Sequence, residues 1–427
     1  MKRLRGRRPF GSSGAVLLAC LAASLLALQG CLGRGVAIAP RGSVLRSEVE
    51  PAAWTPIPDG DPTKQELTFP ALAGWQGTLV HDNGGVGVWT LMVGKVFPTY
   101  AQPEIVGLDD NGRCHVLWGY SGKWTPVTVL ADGTWLGGIA HADVDPRIPG
   151  KELYVGAQSG NVYQIVVHAD RAVDYRRVAK IPGREVHTLI AGEIDPASPG
   201  QALVAFTLPG GIFELKPRPP AMDGFEVRQL AEIDGRVRDA CLLPQRAGHA
   251  PEWAVVLRTG TVSILEFGAG GPRFTPVLQI GSGLGRIALK GDAPAETPVL
   301  YATSDDGQVH RCQRGVDGAW KSELVYAGPQ GMRGCVWGRF DPDPAVETIA
   351  VHGYSRRVEL LSRRHGVWSR ETLFVDQDKG HWLAAGELDG RNATDELVCA
   401  GYSGRIVLLA RPPGHGLQGV LATEPAR

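Results

Sequence analysis

Apolar and polar positions fall in short runs along this chain, and the runs group into a recurring unit. Residues 379–409, KGHWLAAGELDGRNATDELVCAGYSGRIVLL, hold an apolar run, an acidic turn, a second apolar run, a glycine turn and a third apolar run. Short runs rich in Val, Leu, Ile and Ala, bounded by Gly, Pro and Asp, read as strands. The same succession occurs in HADVDPRIPGKELYVGAQSGNVYQI, AGEIDPASPGQALVAFTLPGGIFEL, LKGDAPAETPVLYATSDDGQVHRC and WGRFDPDPAVETIAVHGYSRRVELL. Two weaker copies, MVGKVFPTYAQPEIVGLDDNGRCHVL and LLPQRAGHAPEWAVVLRTGTVSIL, fill the gaps. The glycine turn is an independent ruler. Gly112, Gly160, Gly211, Gly260, Gly307 and Gly404 mark six copies, Arg356 stands at the equivalent point of another, and the spacing stays at 47 to 51 residues.

A more polar run follows each third strand, as in YRRVAKI, SELVYAG and RETLFVD. Each copy therefore predicts a four-stranded antiparallel unit. One such unit cannot bury both faces, whereas a closed ring of them can. The expected fold class is all-β: a seven-bladed β-propeller of four-stranded antiparallel blades. The blades should start near residues 88, 136, 186, 238, 285, 332 and 380, within a propeller spanning 64–427.

The stretches AGELDGRNATDELVCAG and HADVDPRIPGKELYVGA resemble the FG-GAP/VCBS class of propeller repeats, and the resemblance covers about residues 86–423. It implies the propeller architecture and says little about function, because this scaffold serves many roles. It also implies ring closure by an N-terminal strand. Two segments suit the last outer strand: KQELTFPA at 64–71 or LQGVLATE at 417–424, with the first favoured. Residues 72–88 then read as an insertion on the face where first strands begin.

Outside the repeats, the start of the chain is basic (Lys2, Arg3, Arg5, Arg7, Arg8) and runs into an apolar stretch from Ala15 to Leu28. Residues 1–30 read as a secretory signal, too short for a stable membrane span. Leu28-Gln29-Gly30-Cys31 resembles a bacterial lipobox, which implies a lipid on Cys31 and residues 31–63 as the tether. A lipid-anchored envelope protein follows, with the outer membrane expected because Leu32 rather than Asp follows the cysteine.

The formal net charge is zero, and removing residues 1–30 leaves 39 basic against 44 acidic residues. Nucleic acid is therefore not an expected partner; the membrane (through the lipid) and an envelope protein or glycan are, with the chain itself a monomer. Cys114, Cys241, Cys312, Cys335 and Cys399 are an odd set scattered through strand runs, which reads as small core residues rather than a disulfide framework.

The acidic turns leave two readings open. The resemblance implies calcium where a full DxDxDGxxD loop is present. The best case here is Glu387, Asp389 and Asp395, but Arg391 takes the fifth position. Otherwise the acids accept backbone N–H groups in tight turns, or an arginine stands in for the cation.

Counting six residues back from the acidic turn gives one column across the blades: Trp89, Gly137, His187, Asp239, Arg286, Arg333 and His381. In a propeller the first strands line the central channel, so this column becomes a ring. Second-strand ends on the same face carry Tyr120, Tyr354 and Tyr402 in GYS turns, with Arg258 and Asp305 in other blades. Converging Arg, His and Tyr suit an anionic glycan or peptide, although polar groups also solvate a wide channel without any function. No GxSxG, SxxK or HExxH motif occurs. A binding or interaction propeller is the main expectation. The alternative is a sugar lyase or dehydratase with His187 or His381 as base and the arginines stabilising an anion.

Overall fold

A computed structural model describes residues 45–46 and 67–412, apart from 99, 121–122, 169–171, 195–199, 220–221, 269–270, 389 and 391–393. The signal, Cys31 and the 417–424 segment lie outside the described residues. The described chain is all-β and forms seven antiparallel four-stranded blades, two of which carry a fifth strand. First strands run over Val88–Gly94, Leu136–Ala142, Glu185–Gly192, Val237–Leu242, Leu284–Leu289, Met332–Trp337 and Gly380–Gly386, in blades 1 to 7.

The hydrophobic pattern follows from position in the blade. Second strands such as Glu104–Asp109, Glu152–Ala157 and Glu396–Gly401 are buried at every residue, so they read as continuous apolar runs. Fourth strands such as Lys123–Ala131 and Val173–Lys180 are largely exposed, hence their polarity. Seven apolar clusters each span one seam between neighbouring blades. The cluster of Val80, Val88, Leu91, Ile105, Val398 and Ile406 seals blade 7 to blade 1. Cys114, Cys312, Cys335 and Cys399 are buried free thiols within this packing.

The glycine turns need left-handed backbone: φ is +78° at Gly112, +79° at Gly160, +94° at Gly260, +88° at Gly307 and +73° at Gly404. Arg356 adopts φ +68° at its equivalent point, a conformation that crowds its Cβ against the backbone. In six blades the carbonyl of the turn residue accepts the N–H of the residue just after the fourth strand, and in blade 3 Gly210 takes the place of Gly211. Asp132 bonds Gly112 at 2.8 Å, Ile181 bonds Gly160 at 2.9 Å and Asp376 bonds Arg356 at 2.8 Å.

That bond identifies the strand closing the ring, because Asn83 N–H donates to Gly404 O at 2.9 Å. The fourth strand of blade 7 is Gln76–Asp82, paired antiparallel with Arg405–Ala410, and Leu67–Pro70 pairs outside it. This corrects two expectations. The 64–71 segment is not the fourth strand but contributes a fifth, and 72–88 is not an insertion but holds the closing strand. The segment QGTLVHD shows little apolar alternation because only Gly77 and Val80 are buried, so its period is not readable. Leu45–Arg46, within the expected tether, forms a short parallel pair with Tyr326–Ala327 on the edge of blade 5.

Candidate functional site: the axial mouth

Every first strand carries one extra residue opposite its second strand, at the end where the first strands begin. The unpaired residues are Trp89, Gly137, His187, Arg238, Arg333 and His381, and in blade 5 Gly285 and Arg286 together oppose Thr303. A bulge twists the strand and re-aims a side chain. Here it turns seven positions toward the axis.

In blade 4 the ring member is Arg238, where counting from the turn had given Asp239. The stretch from bulge to turn is one residue longer in blade 4, so a fixed count slips by one. Asp239 instead links two blades: its carboxylate accepts Ala240 N–H at 3.0 Å and Ile287 N–H of blade 5 at 3.1 Å.

Arg286 is 7% exposed. Its guanidinium carbon lies 3.7 Å from the centre of the Trp382 ring, and its Nη1 donates to Arg238 O at 2.6 Å. Burial lowers its pKa to about 9, against the opposing pull of Asp239. His381 donates from Nδ1 to Trp89 O at 3.1 Å and packs edge-on against the indole at 4.2 Å. His187 and His381 are 6% and 9% exposed. Burial, then nearby arginines, hold both imidazoles well below the ordinary histidine pKa, so both are neutral. Arg286, Trp382, His381 and Trp89 thus form one plug of packed side chains at the bulges.

Beyond this plug a cavity of about 540 Å3 follows the first strands of blades 1 to 4, from His187, Asp239 and Trp382 to Asp143, Lys151 and Gln201 beside the turns. A smaller one of about 240 Å3 lies against Arg286, Trp337 and Leu383.

The mouth on the other side of the plug is basic. Tight turns ending the second strands set a second ring there: Asp110, Gln158, Arg258, Asp305, Tyr354 and Tyr402. Their backbone N–H groups bond the carbonyls of Gly87, Trp135, Arg236, Gly283, Gly331 and Lys379, the residues just before the first strands. Arg333 and Arg238 both bond the Asp305 carboxylate, the latter at 3.4 Å. The Arg333 guanidinium sits 5.0 Å from the centre of Tyr354, and the Lys379 ammonium lies 5.4 Å from Tyr354 and 5.7 Å from Tyr402. The two phenol oxygens are 3.3 Å apart. Burial lowers the Arg238 pKa to about 10, reinforced by Arg333, Arg236 and Arg258. Arg236, Arg258 and Lys379 make no ion pair among the described residues.

Of the residues expected at this site, Arg333, Tyr354, Tyr402, Arg258 and Asp305 come together at the mouth, and Trp89, 4.9 Å from the Tyr402 ring, joins the mouth to the plug. His187, Arg286 and His381 lie in or behind the plug. Tyr120 does not belong to the ring: it ends the third strand of blade 1, Arg113–Tyr120, so it stands at the opposite end of the blade. It lies where the chain passes from the third strand to the fourth, Lys123–Ala131, and Asp110 takes the ring position in blade 1. The Tyr120 side chain lies outside the described residues. Arg236, Arg238 and Lys379 were not legible as a site, because their signal is a position relative to a bulge rather than a motif.

The acidic turns use protein donors. Asp395 accepts Arg339 N–H at 2.7 Å, with the Arg339 guanidinium 3.5 Å away. Glu387 accepts Gly390 N–H at 2.7 Å, and Asp389 lies outside the described residues. Asp145 holds Arg147 at 2.7 Å and Arg176 at 3.0 Å, and Arg364 bridges Asp341 and Asp343. No grouping of three metal-ligating side chains occurs among the described residues.

No family model matches the chain, and no curated protein matches it. Solved structures do. One is a crystal structure of BBS1N in complex with ARL6DN, soaked with lead. It is 13% identical, with a TM-score of 0.55, and the match covers 81% of this chain and 99% of that one. At this identity the likeness concerns the propeller fold alone.

Proposed function

We propose that this chain is a binding propeller of the cell envelope, without catalytic activity, that takes an anionic glycan, acidic peptide or envelope-protein partner at its basic axial mouth. One observation carries the reading: Arg238 and Arg333 share the Asp305 carboxylate, Arg236 and Arg258 lie close enough to act on Arg238, and Lys379 stands over Tyr354 and Tyr402. A rigid ring of blades that brings like charges together favours an anion in the space they share. The basic start, apolar run and Leu-Gln-Gly-Cys of residues 28–31 support a lipid on Cys31 that holds the propeller at a membrane, on the periplasmic or outer face. Retention on immobilised acidic glycan and acidic peptide tests this. Retention should fall with added salt and vanish in an Arg258→Glu/Lys379→Glu variant; retention unchanged by charge reversal would sink the reading.

A second reading, elimination from an acidic sugar, is favoured by Tyr354. Burial alone raises the affinity of its phenol for the proton, but the Tyr402 hydrogen bond and the Arg333 and Arg238 guanidiniums turn the net shift downward. The phenolate would accept the proton α to the sugar carboxylate. The C–O bond to the leaving sugar breaks as the C=C bond forms, and water protonates the leaving oxygen. In this reading the base is Tyr354 and not a buried histidine. Ultraviolet absorbance of an unsaturated product, lost in Tyr354→Phe, is its test.

A further inference from the structure

The mouth has more cation than its own carboxylates neutralise, yet its centre is an acceptor. Asp305 is 31% exposed between Arg238 and Arg333. An anion with no hydrogen-bond donors would satisfy the guanidiniums and be repelled by this carboxylate. A ligand bearing hydroxyls beside its acid groups meets both demands. Its acid takes the guanidinium forks, and a hydroxyl donates to the free lone pairs of Asp305. The Tyr354 and Tyr402 hydroxyls, 3.3 Å apart, present a donor and an acceptor at one point of the rim. Tyr354 is 38% exposed, so the pair is open to a ligand. Exposed Arg258 lies in the ring of second-strand turns on blade 4, and exposed Lys379 stands just before the first strand of blade 7 beside Tyr354 and Tyr402, which suits more than one acid group per ligand.

We propose that the basic mouth recognises an acidic saccharide, with uronate or sulfate groups on Arg238, Arg258, Arg333 and Lys379 and ring hydroxyls on Asp305, Tyr354 and Tyr402. This rests on the reading of the mouth as an anion site. Neutral sugars lack the charge, and acidic peptides carry carboxylates on flexible side chains with no hydroxyl array to meet the tyrosine pair.

Isothermal titration of the full chain tests this with five probes: oligogalacturonate, a heparin-derived oligosaccharide, a neutral cello-oligosaccharide, oligoglutamate and inorganic phosphate. An acidic saccharide should bind and the neutral one should not. The stronger of the two acidic saccharides identifies the acid group as uronate or sulfate. Arg258→Ala and Lys379→Ala alter exposed side chains and keep the fold. Each should weaken binding about tenfold, the loss of one charge-assisted hydrogen bond. Tyr354→Phe and Asp305→Asn should weaken the saccharide; oligoglutamate should be unaffected by the first and, freed of the repelling carboxylate, strengthened by the second. If oligoglutamate or phosphate binds as tightly as the saccharides and these last two variants change nothing, the saccharide assignment falls while the anion site stands. If no anion binds the folded chain, or the neutral sugar binds equally well, the anion site falls with it.

Discussion

Single residues in this fold answer to backbone geometry and burial. Arg356 occupies the left-handed conformation that glycine takes in five sister turns. Arg356→Gly should raise stability by about 1 kcal/mol, the usual cost of a side chain in that region, read as a higher denaturant midpoint at unchanged slope. Asp376 is 1% exposed, accepts Gln377 N–H at 2.6 Å and the Ser403 hydroxyl at 3.1 Å, and burial raises its pKa to about 6. Its folded value lies above its unfolded one, so its contribution is full below the ordinary aspartate pKa and is lost as pH rises through about 6. Asp376→Asn keeps the shape of the protonated acid. It should stabilise the protein most at pH near 7.5, less near pH 4.5, and not at all below the ordinary aspartate pKa; calorimetric melts across this range check it. The position of Arg356 was legible from spacing alone. The protonation of Asp376 was not, because burial comes from contacts between blades.

At the scale of elements, one buried glutamate explains the recurring Glu that opens second strands. The Glu104 carboxylate accepts Val96 N–H at 2.6 Å and Phe97 N–H at 3.2 Å, and Glu396 accepts Leu388 N–H at 2.6 Å. These bonds tie the turn to the strand that follows it. Glu104→Ala leaves two buried donors unmet and should cost roughly 2–3 kcal/mol, while Glu104→Gln, which retains an acceptor, should cost less; urea melts separate them. The Gln76–Asp82 strand is the other decisive element. Deleting 67–82 exposes the Arg405–Ala410 edge and opens the seam sealed by Val80 and Ile406. The expected result is loss of a single cooperative transition and concentration-dependent association by gel filtration. The Glu and its turn could be seen in the repeats. The closing strand could not, because a polar outer strand is placed by its partner and not by its own pattern.

For the whole molecule, neutral buried histidines set the response to acid. His352 has no exposed surface and donates from Nδ1 to Arg357 O at 2.9 Å. Burial lowers its pKa to about 4, and burial followed by Lys151 lowers that of His141 to about 4 as well. Their folded values lie below the unfolded ones, so their contribution is full above the ordinary histidine pKa and is lost as pH falls toward 4. His187 and His381 shift the same way. His81 and His310 do so too, and the raised carboxyls of Asp376, Glu104, Asp110, Glu152 and Asp239 oppose them, five groups against six histidines. The melting temperature should therefore fall between pH 7 and pH 5; a flat profile there would contradict neutral histidines in the core.

The sequence by itself determined the seven repeats, the strands of every blade but the last outer one, the turn residues and the existence of an axial ring. These depend on local periodicity and turn chemistry, which each blade repeats. Only the tertiary structure decided which side chains meet. A bulge shifted Arg238 onto the axis and Asp239 into a blade seam, the chain start supplied the last outer strand, and Tyr120 went to the far end. Ring closure then gathered cations from blade 4 and from around blades 6 and 7 into one mouth. No single repeat contains that charge, because it arises between blades whose positions are set by the packing of their neighbours.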